Sequence, residues 1–155
     1  VRAFTELWNG TNWTEVNDLN QQRRQLAGCG ASNTSALAFG GRNAPPDQQA
    51  VTETWNGTNW TEVNDLNTAR NYLGGLGSTT AALAFGGSPS GTGATEDWNG
   101  ISWVEVADLN TSRYLLAGSS TSSAQGLAFG GNSPPITAAT EEWSSSSNTV
   151  KTLTD

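Results

Sequence analysis

The stretch Thr52-Glu53-Thr54-Trp55-Asn56-Gly57-Thr58-Asn59-Trp60 decides the fold of this chain. Its opening Thr-Glu-x-Trp occurs four times. The tryptophans that end these four copies are Trp8, Trp55, Trp98 and Trp143. Successive tryptophans are therefore 47, 43 and 45 residues apart. A period of about 45 residues is typical of repeat architectures, in which each copy is one supersecondary unit.

One copy, residues 50–87, reads as four short strands joined by turns. The predicted strands are Val51–Trp55, Trp60–Val63, Tyr72–Leu76 and Ala81–Phe85. Asn56-Gly57 predicts a type I′ hairpin turn, since both central residues of that turn need positive φ. No helical periodicity occurs in the copy. Four antiparallel strands in 40 to 50 residues are typical of one propeller blade, so we expect an all-β propeller.

The spacing of the copied residues resembles the kelch motif. The residues that carry the resemblance are Leu83-Ala84-Phe85-Gly86-Gly87, Trp98, Trp103 and Arg113. The motif has a double Gly followed by a spaced Tyr and Trp, and Trp8, Trp55, Trp98 and Trp143 stand where kelch usually has Tyr. The resemblance implies four-stranded antiparallel kelch-like blades over nearly the whole chain. It implies little about function, because such propellers serve unrelated tasks.

With the strands of a blade named a to d, the chain reads as about three and a half blades in a single domain. The predicted segments are a c–d half blade at 1–20, blades at 21–64 and 65–107, and a last blade at 108–155. The final c–d hairpin, Glu141 to Thr154, is degenerate: Val150 stands near the second Trp position, and serines replace Asn-Gly. Such a departure is typical of a terminal cap.

Composition excludes several classes of function. A net charge of −7 argues against nucleic acid, which needs clustered Lys and Arg. No apolar run approaches the 20 or so residues of a membrane helix, so no membrane insertion is expected. The chain has no His, the commonest general base and metal ligand, and a single Cys. We therefore expect no enzyme activity, no catalytic or metal-binding residues and no cofactor.

Three and a half blades are too few for a closed ring, since propellers typically have four to eight. One explanation is a homo-oligomer in which the N-terminal c–d hairpin of one chain joins the a–b strands of another, so that a dimer closes a six-bladed ring. The other is a longer propeller of which this chain is a part. The absence of Met suggests that residue 1 follows a cut or lies inside a longer product.

Antiparallel order places the b–c and d–a loops on one face of the blades and the a–b and c–d turns on the other. The c–d turns are nearly identical, whereas the b–c loops differ between copies. These loops are Arg42–Gln49, Ser88–Gly93 and Asn132–Thr137. Variable loops on a regular frame often carry recognition, so we predict that ligands bind the b–c/d–a face. Unconstrained drift of the loops is the alternative.

Candidate ligand-binding residues lie at this face. They are Arg23, Arg70, Arg113, Asn20, Asn67, Asn110, Arg42 and Asp47. The three recurring arginines could offer a ring of guanidinium groups to acidic or sugar ligands. The structural alternative, which the regular repetition favours, is a tie from each arginine to the backbone or to Glu6, Glu53, Glu96 or Glu141 of a neighbouring strand.

Other repeated residues are interpreted structurally. The paired tryptophans are expected to pack between blades, although aromatic rings can also stack on sugars. Cys29 aligns with Leu76 and Ser119 and reads as a small strand residue. The Asn-Gly-Thr and Asn-Trp-Thr sequons are explained by their turns rather than by glycosylation.

Three functions are compatible with kelch-like repeats. Trp-Asn-Gly-Thr-x-Trp and Leu-Ala-Phe-Gly-Gly are similar to repeats of kelch-like proteins encoded by bacteriophages, which implies a virion- or tail-associated adhesive or structural module, extracellular or in the virion. Its partners would be a host surface glycan or virion proteins. A lectin-like propeller is the alternative. A galactose-oxidase type enzyme would hold copper by His and Tyr, and the lack of His argues against it.

Overall fold

The computed structural model describes residues 1–44, 47–88, 91–133, 136, 138–145 and 149–153. Its described part is all β. The strands are β1 (Thr5–Trp8), β2 (Trp13–Val16), β3 (Ala27–Ser32), β4 (Ser35–Phe39), β5 (Thr52–Trp55), β6 (Trp60–Val63), β7 (Gly74–Gly77), β8 (Ala82–Phe85), β9 (Thr95–Trp98), β10 (Trp103–Val106), β11 (Ala117–Ser119), β12 (Gln125–Phe129), β13 (Thr140–Ser144) and β14 (Thr149–Leu153). No helix in these ranges is long and apolar enough to cross a membrane.

The strands form one two-stranded hairpin and three four-stranded antiparallel sheets. The sheets follow chain order as β3-β4-β5-β6, β7-β8-β9-β10 and β11-β12-β13-β14, and the hairpin is β1-β2. Strands a to d are thus consecutive neighbours in every complete sheet. The predicted fold class, a propeller of four-stranded antiparallel blades with one half blade, is confirmed.

The predicted type I′ turn between strands c and d is wrong. Trp55 pairs directly with Trp60, so the loop has four residues, 56 to 59. Within it Gly57 has positive φ, at 93°, whereas Asn56 does not. The side chain of Asn56 instead accepts hydrogen bonds from the backbone N–H groups of Thr58 and Asn59, both at 2.9 Å. Because the Asn56 side chain accepts these two backbone N–H groups, the four-residue loop is stable without a two-residue turn.

Strand a of the second blade begins two residues later than predicted, at Gly74 rather than Tyr72. Tyr72 has φ of 58°, a left-handed conformation that cannot continue a strand. Gln25 and Leu115 occupy the same position in the other blades, with φ of 59° and 56°. Every complete blade therefore enters strand a through a strained, non-glycine residue.

The hydrophobic core lies between blades rather than inside one sheet. One cluster joins the first and second blades through Leu37, Phe39, Trp98 and Trp103, and another joins the second and third through Leu83, Phe85, Leu116 and Trp143. Phe39 meets Trp103 edge to face, with ring centroids 4.9 Å apart. Each blade thus buries its apolar side chains only when a neighbour covers them.

The tryptophans also donate hydrogen bonds within and between blades. In strand c, the indole Nε1 of Trp55, Trp98 and Trp143 donates to a carbonyl in the a–b turn of the same blade, at 2.8 to 3.1 Å. In strand d, Nε1 of Trp103 donates 3.0 Å to Thr52 Oγ1 of the preceding blade. The expected packing role of the tryptophans accordingly includes a hydrogen bond for each of these buried indoles.

We predict that Trp103→Ala lowers the free energy of unfolding by about 3–5 kcal/mol, the usual loss for a buried Trp. Trp103 is 4% exposed and touches both Phe39 and Thr52 of the adjacent blade. Chemical denaturation followed by fluorescence measures the loss. Ile101→Ala is the control, since Ile101 is 72% exposed two residues earlier. Equal losses in both variants would contradict the inter-blade packing.

Candidate functional site

The b–c and d–a loops lie together on one face, as the antiparallel order requires. In the first blade Arg24 and Arg42 exchange backbone hydrogen bonds of 2.9 and 3.0 Å. Asn71 with Ser88, and Tyr114 with Asn132, form the equivalent bridges in the next two blades. The start of strand a and the segment after the double glycine are therefore held side by side in each blade. This surface is called the loop face below.

The three recurring arginines are buried beneath the loop face. Arg23 pairs with Glu53, Arg70 with Glu96 at 3.1 Å, and Arg113 with Glu141 at 3.0 Å. The side chains of all three arginines are inaccessible to solvent in this structure. Each arginine therefore has the structural role described above as the alternative to ligand binding: it ties the start of strand a to the glutamate of strand c in its own blade. A ligand could not reach the guanidinium groups in this arrangement.

Each arginine also binds main-chain carbonyls. Arg70 donates from Nη1 to the carbonyl of Ala94 at 2.9 Å and from Nη2 to that of Ala84 at 3.2 Å. Burial lowers the pKa of Arg70, and the nearby carboxylates, Glu96 first, act in the opposite direction. Burial likewise lowers the pKa of Arg113, opposed by Glu141. The carboxylate is what makes each buried cation tolerable.

The recurring asparagines complete the same network. Asn67 donates from its backbone N–H and its Nδ2 to Glu96 Oε2, at 2.7 and 2.8 Å. Asn20 makes the same two bonds to Glu53, and the Asn110 N–H donates 2.6 Å to Glu141. The Asn-x-x-Arg spacing thus clasps one buried Glu per blade. We call each such set an Asn–Arg–Glu clasp.

The remaining two candidates, Arg42 and Asp47, lie on the first b–c loop. Arg42 is half-buried, and its Nε is buried without a hydrogen-bond partner among the described residues. Asp47 is exposed, and its N–H donates to the carbonyl of Ala44 at 2.6 Å. Of the eight predicted residues, Asp47 and the asparagines keep exposed side chains on this face.

The structure adds a cluster that the sequence analysis missed. It consists of Gln25, Asn71, Tyr72, Tyr114 and Asn132, and is called the tyrosine cluster below. Gln25 Nε2 donates 2.6 Å to Tyr72 Oη, and Asn71 Nδ2 donates 2.7 Å to Gln25 Oε1. The rings of Tyr72 and Tyr114 lie 6.1 Å apart. The cluster therefore connects all three complete blades.

The tyrosine cluster has the features of a polar binding site. Both tyrosines are partly exposed, and Asn132 Nδ2 donates 3.0 Å to Tyr114 Oη. Asn71 is almost fully buried, yet its Oδ1 accepts no hydrogen bond from any described residue. A buried amide oxygen without a donor is uncommon, and this one is as inaccessible to solvent as the clasp arginines.

A signal for this cluster was present in the sequence. The two positions after the clasp arginine hold Arg24-Gln25, Asn71-Tyr72 and Tyr114-Leu115, which differ completely between copies that otherwise repeat closely. These pairs therefore vary between copies as the b–c loops do, and the same reasoning marks them as candidate recognition positions. Their strained φ values, visible only in three dimensions, mark the same positions.

Cys29 lies half-buried on strand a of the first blade, as its alignment with Leu76 suggested. Burial raises the pKa of its thiol to about 12. The protonated thiol is unreactive at neutral pH. No group of three or more His, Cys, Asp or Glu in the described ranges could hold a metal ion.

No family model and no curated protein matches the chain. The chain is similar in structure to the solved structure of YjhT, with a TM-score of 0.81 and 11% sequence identity. The match covers 98% of this chain and 52% of the YjhT chain. At this identity the similarity supports the propeller fold alone. The chain spans about half the length of that propeller-type structure.

We predict that Glu96→Ala lowers the free energy of unfolding by about 3–5 kcal/mol, because Arg70 is left buried without its carboxylate. Glu15→Ala, at the equivalent exposed position of strand β2, is the control and should stay within about 0.5 kcal/mol. Urea denaturation at pH 7 measures both. An unchanged midpoint for Glu96→Ala would show that the clasp is dispensable.

Proposed function

We propose that this chain is a non-enzymatic binding module of a propeller whose loop face recognises its target. The observation that carries the proposal is the tyrosine cluster, which joins two partly exposed aromatic rings to the partly exposed amide side chains of Gln25 and Asn132. Apolar surface with a few placed polar groups is the usual composition of a recognition site. The opposite face, with its repeated Asn-Gly loops, has no comparable variation.

The setting we propose is a phage virion or tail, with a host surface structure or another virion protein as the partner. The support is the similarity of the repeats to phage-encoded kelch-like proteins, together with a polar, Lys-poor surface of net charge −7. Antibodies raised against the chain and applied to particles from the producing culture would test this setting. Labelling at the tail or capsid supports it, and label confined to the soluble fraction contradicts it.

A carbohydrate-binding module is the second candidate. The ring faces of Tyr72 and Tyr114 could stack on a sugar, while the partly exposed Asn132 and Gln25 supply hydrogen bonds to hydroxyl groups. The three blades place different residues at these positions, so one composite site fits better than one sugar per blade. This candidate shares the loop face with the first and differs in the class of ligand.

We predict that Tyr114→Ala weakens binding of the target at least tenfold, about 1.4 kcal/mol, without lowering the melting temperature. Tyr114 is partly exposed and lies outside the two buried clusters. The measurement is an immobilised glycan array together with a pull-down of virion or envelope proteins. Ile101→Ala, on the opposite face, should bind as the original chain does.

Signals on several related glycans would select the carbohydrate reading, and capture of a protein partner would select the adhesive one. Equal binding by Tyr114→Ala and the original chain would remove the loop face as the recognition surface.

A further inference from the structure

The N-terminal hairpin has an open edge that a second copy can fill. In every complete blade strand c pairs with strand b, as β5 does with β4, β9 with β8 and β13 with β12. Strand β1 holds the c position but pairs with β2 alone in the described part of the chain. Its outer edge therefore has no strand partner there and is a template for another strand, although the carbonyl of Trp8 accepts a hydrogen bond of 3.2 Å from Asn33 Nδ2.

Two side chains of this hairpin, those of Glu6 and Trp13, lack the partners that their equivalents have, whereas Thr5 accepts an indole hydrogen bond as Thr52 does. Glu6 corresponds to Glu53, which receives the clasp bonds of Asn20 and Arg23. Glu6 is exposed, and no described residue donates a hydrogen bond to it. Trp13 corresponds to the buried Trp103 but is 64% exposed. The hairpin thus carries the acceptor of a clasp without its donors.

A groove marks the place of the missing strand. It has a volume of about 310 Å³ and is lined by Thr5, Trp8, Trp55 and Trp60 among others. In the next blade the equivalent of Trp60, Trp103, is covered by Phe39 of strand b. No described phenylalanine covers Trp60. The groove therefore has the shape left by an absent strand b and its Phe.

The opposite end of the array displays the matching residues. Phe129 and Leu127 of strand β12 occupy the positions of Phe39 and Leu37, which are buried by the following blade. Here they remain 39% and 38% exposed. Phe129 at one end of the array is the repeat equivalent of Phe39, and Trp60 in the groove at the other end is the equivalent of Trp103, which Phe39 covers. The two ends are therefore complementary. A head-to-tail contact between two copies would bring them together.

The chain's own last hairpin fits strand β12 imperfectly. Val150 stands opposite Trp143, where the earlier blades have a second Trp. A cavity of about 20 Å³ lies beside Val150, lined by Phe85 and Thr95. The Thr95 hydroxyl, which corresponds to the indole acceptor Thr52, donates to the carbonyl of Gly93 instead. In the previous blade Trp103 occupies the position that Val150 holds here.

We propose that two copies exchange hairpins, β1–β2 of each replacing β13–β14 on strand β12 of the other, which closes a six-bladed ring. In the register of β12 with β13, Glu6 takes the place of Glu141 opposite Ala128, and Trp8 takes that of Trp143 opposite Gly126. Trp13, the partner of Trp8, then takes the place of Val150. This inference rests on the proposed function in one respect: both assume that the chain forms part of a closed propeller.

Charge complementarity supports the exchange. Arg113 is buried and must keep a carboxylate. Glu6 supplies that carboxylate when Glu141 leaves, so no buried cation is left unpaired. The displaced β13–β14 hairpin carries Glu141 and Trp143 into solvent, and Glu6 and Trp8 of the other copy take up their buried positions. The same step buries Trp13 and places Phe129 of one copy against Trp60 of the other. Two copies of three blades give a ring within the usual range of four to eight, and one copy covers 52% of the YjhT chain.

The first experiment traps the exchanged strands. In a Cys29→Ser background, Leu7→Cys and Leu127→Cys are combined, since the exchanged register sets these positions opposite each other. Opposed residues of antiparallel strands have Cα atoms about 4.5–5.5 Å apart, within the range of a disulfide. Mild oxidation should give a covalent dimer of twice 16.2 kDa on non-reducing gels.

Two matched pairs serve as controls. Leu127→Cys with Glu142→Cys reports the unexchanged sheet, because these residues are opposed within one chain. Leu7→Cys with Ile101→Cys reports random collision. The exchange is overturned if the 127/142 pair closes fully within one chain while the 7/127 pair links no better than the collision control.

The second experiment changes the competition between the two hairpins. Val150→Trp restores, in the chain's own hairpin, the second tryptophan of the earlier blades and should shift the dimer toward monomer by at least tenfold in dissociation constant. Trp13→Ala should also raise the dissociation constant of the dimer. It should leave the melting temperature of the monomer unchanged, because Trp13 is exposed in the monomer. Sedimentation equilibrium measures both variants, with Ile101→Ala as the control.

A folded, monomeric original chain at micromolar to millimolar concentration would overturn the exchange, as would a dimer insensitive to both substitutions. Neither result affects the glycan and pull-down measurements on Tyr114→Ala. Failure of the exchange and failure of the proposed function are therefore separate observations.

Discussion

The buried carboxylate of strand c is the constraint on which each blade depends. Glu53, Glu96 and Glu141 each receive hydrogen bonds from a guanidinium and from a clasp asparagine. Each arginine in turn binds a carbonyl of strand b, and Arg70 and Arg113 also bind one in the loop that follows it. One side chain thus joins the d–a loop, strand a and strand c. Removing it would leave a cation without its counter-charge in a low-dielectric interior, which costs more than a lost hydrogen bond.

This clasp also explains why the loop face can vary. Because the backbone before strand a is fixed from below, the next two residues are held in place whatever their side chains are. Gln25, Tyr72 and Leu115 accept positive φ there despite the strain, and they present three different side chains. Strain of this kind persists where the surroundings over-determine the backbone, and it is often found at functional positions. The clasp therefore keeps the backbone rigid below the loop face while the side chains on the face differ from blade to blade.

The inter-blade core imposes a different constraint, because every blade needs a neighbour on both sides. Inside the array Phe39 and Phe85 are buried, while Phe129 at the end is not. At the other end Trp13 and Glu6 stand where buried residues stand in later copies. Arrays of this type bury their ends by capping or by closing a ring. The ends of this chain match each other in register, charge and shape.

The sequence by itself determined the period, the all-β class, the order of strands and the face shared by the b–c and d–a loops, because these follow from residue spacing and antiparallel alternation. It also identified Arg23, Arg70 and Arg113 as repeated, but not their burial, since the surroundings of a side chain depend on strands far away in the chain. Arg23 and Glu53, for example, are 30 residues apart. The four-residue loops, the strained residue before strand a and the tyrosine cluster were decided only by the tertiary structure. The strained residues and the tyrosine cluster arise where blades meet, and no local pattern specifies which side chains of two blades come into contact. The loop length depends on how far strands c and d stay paired, which is up to Trp55 and Trp60 in the first blade.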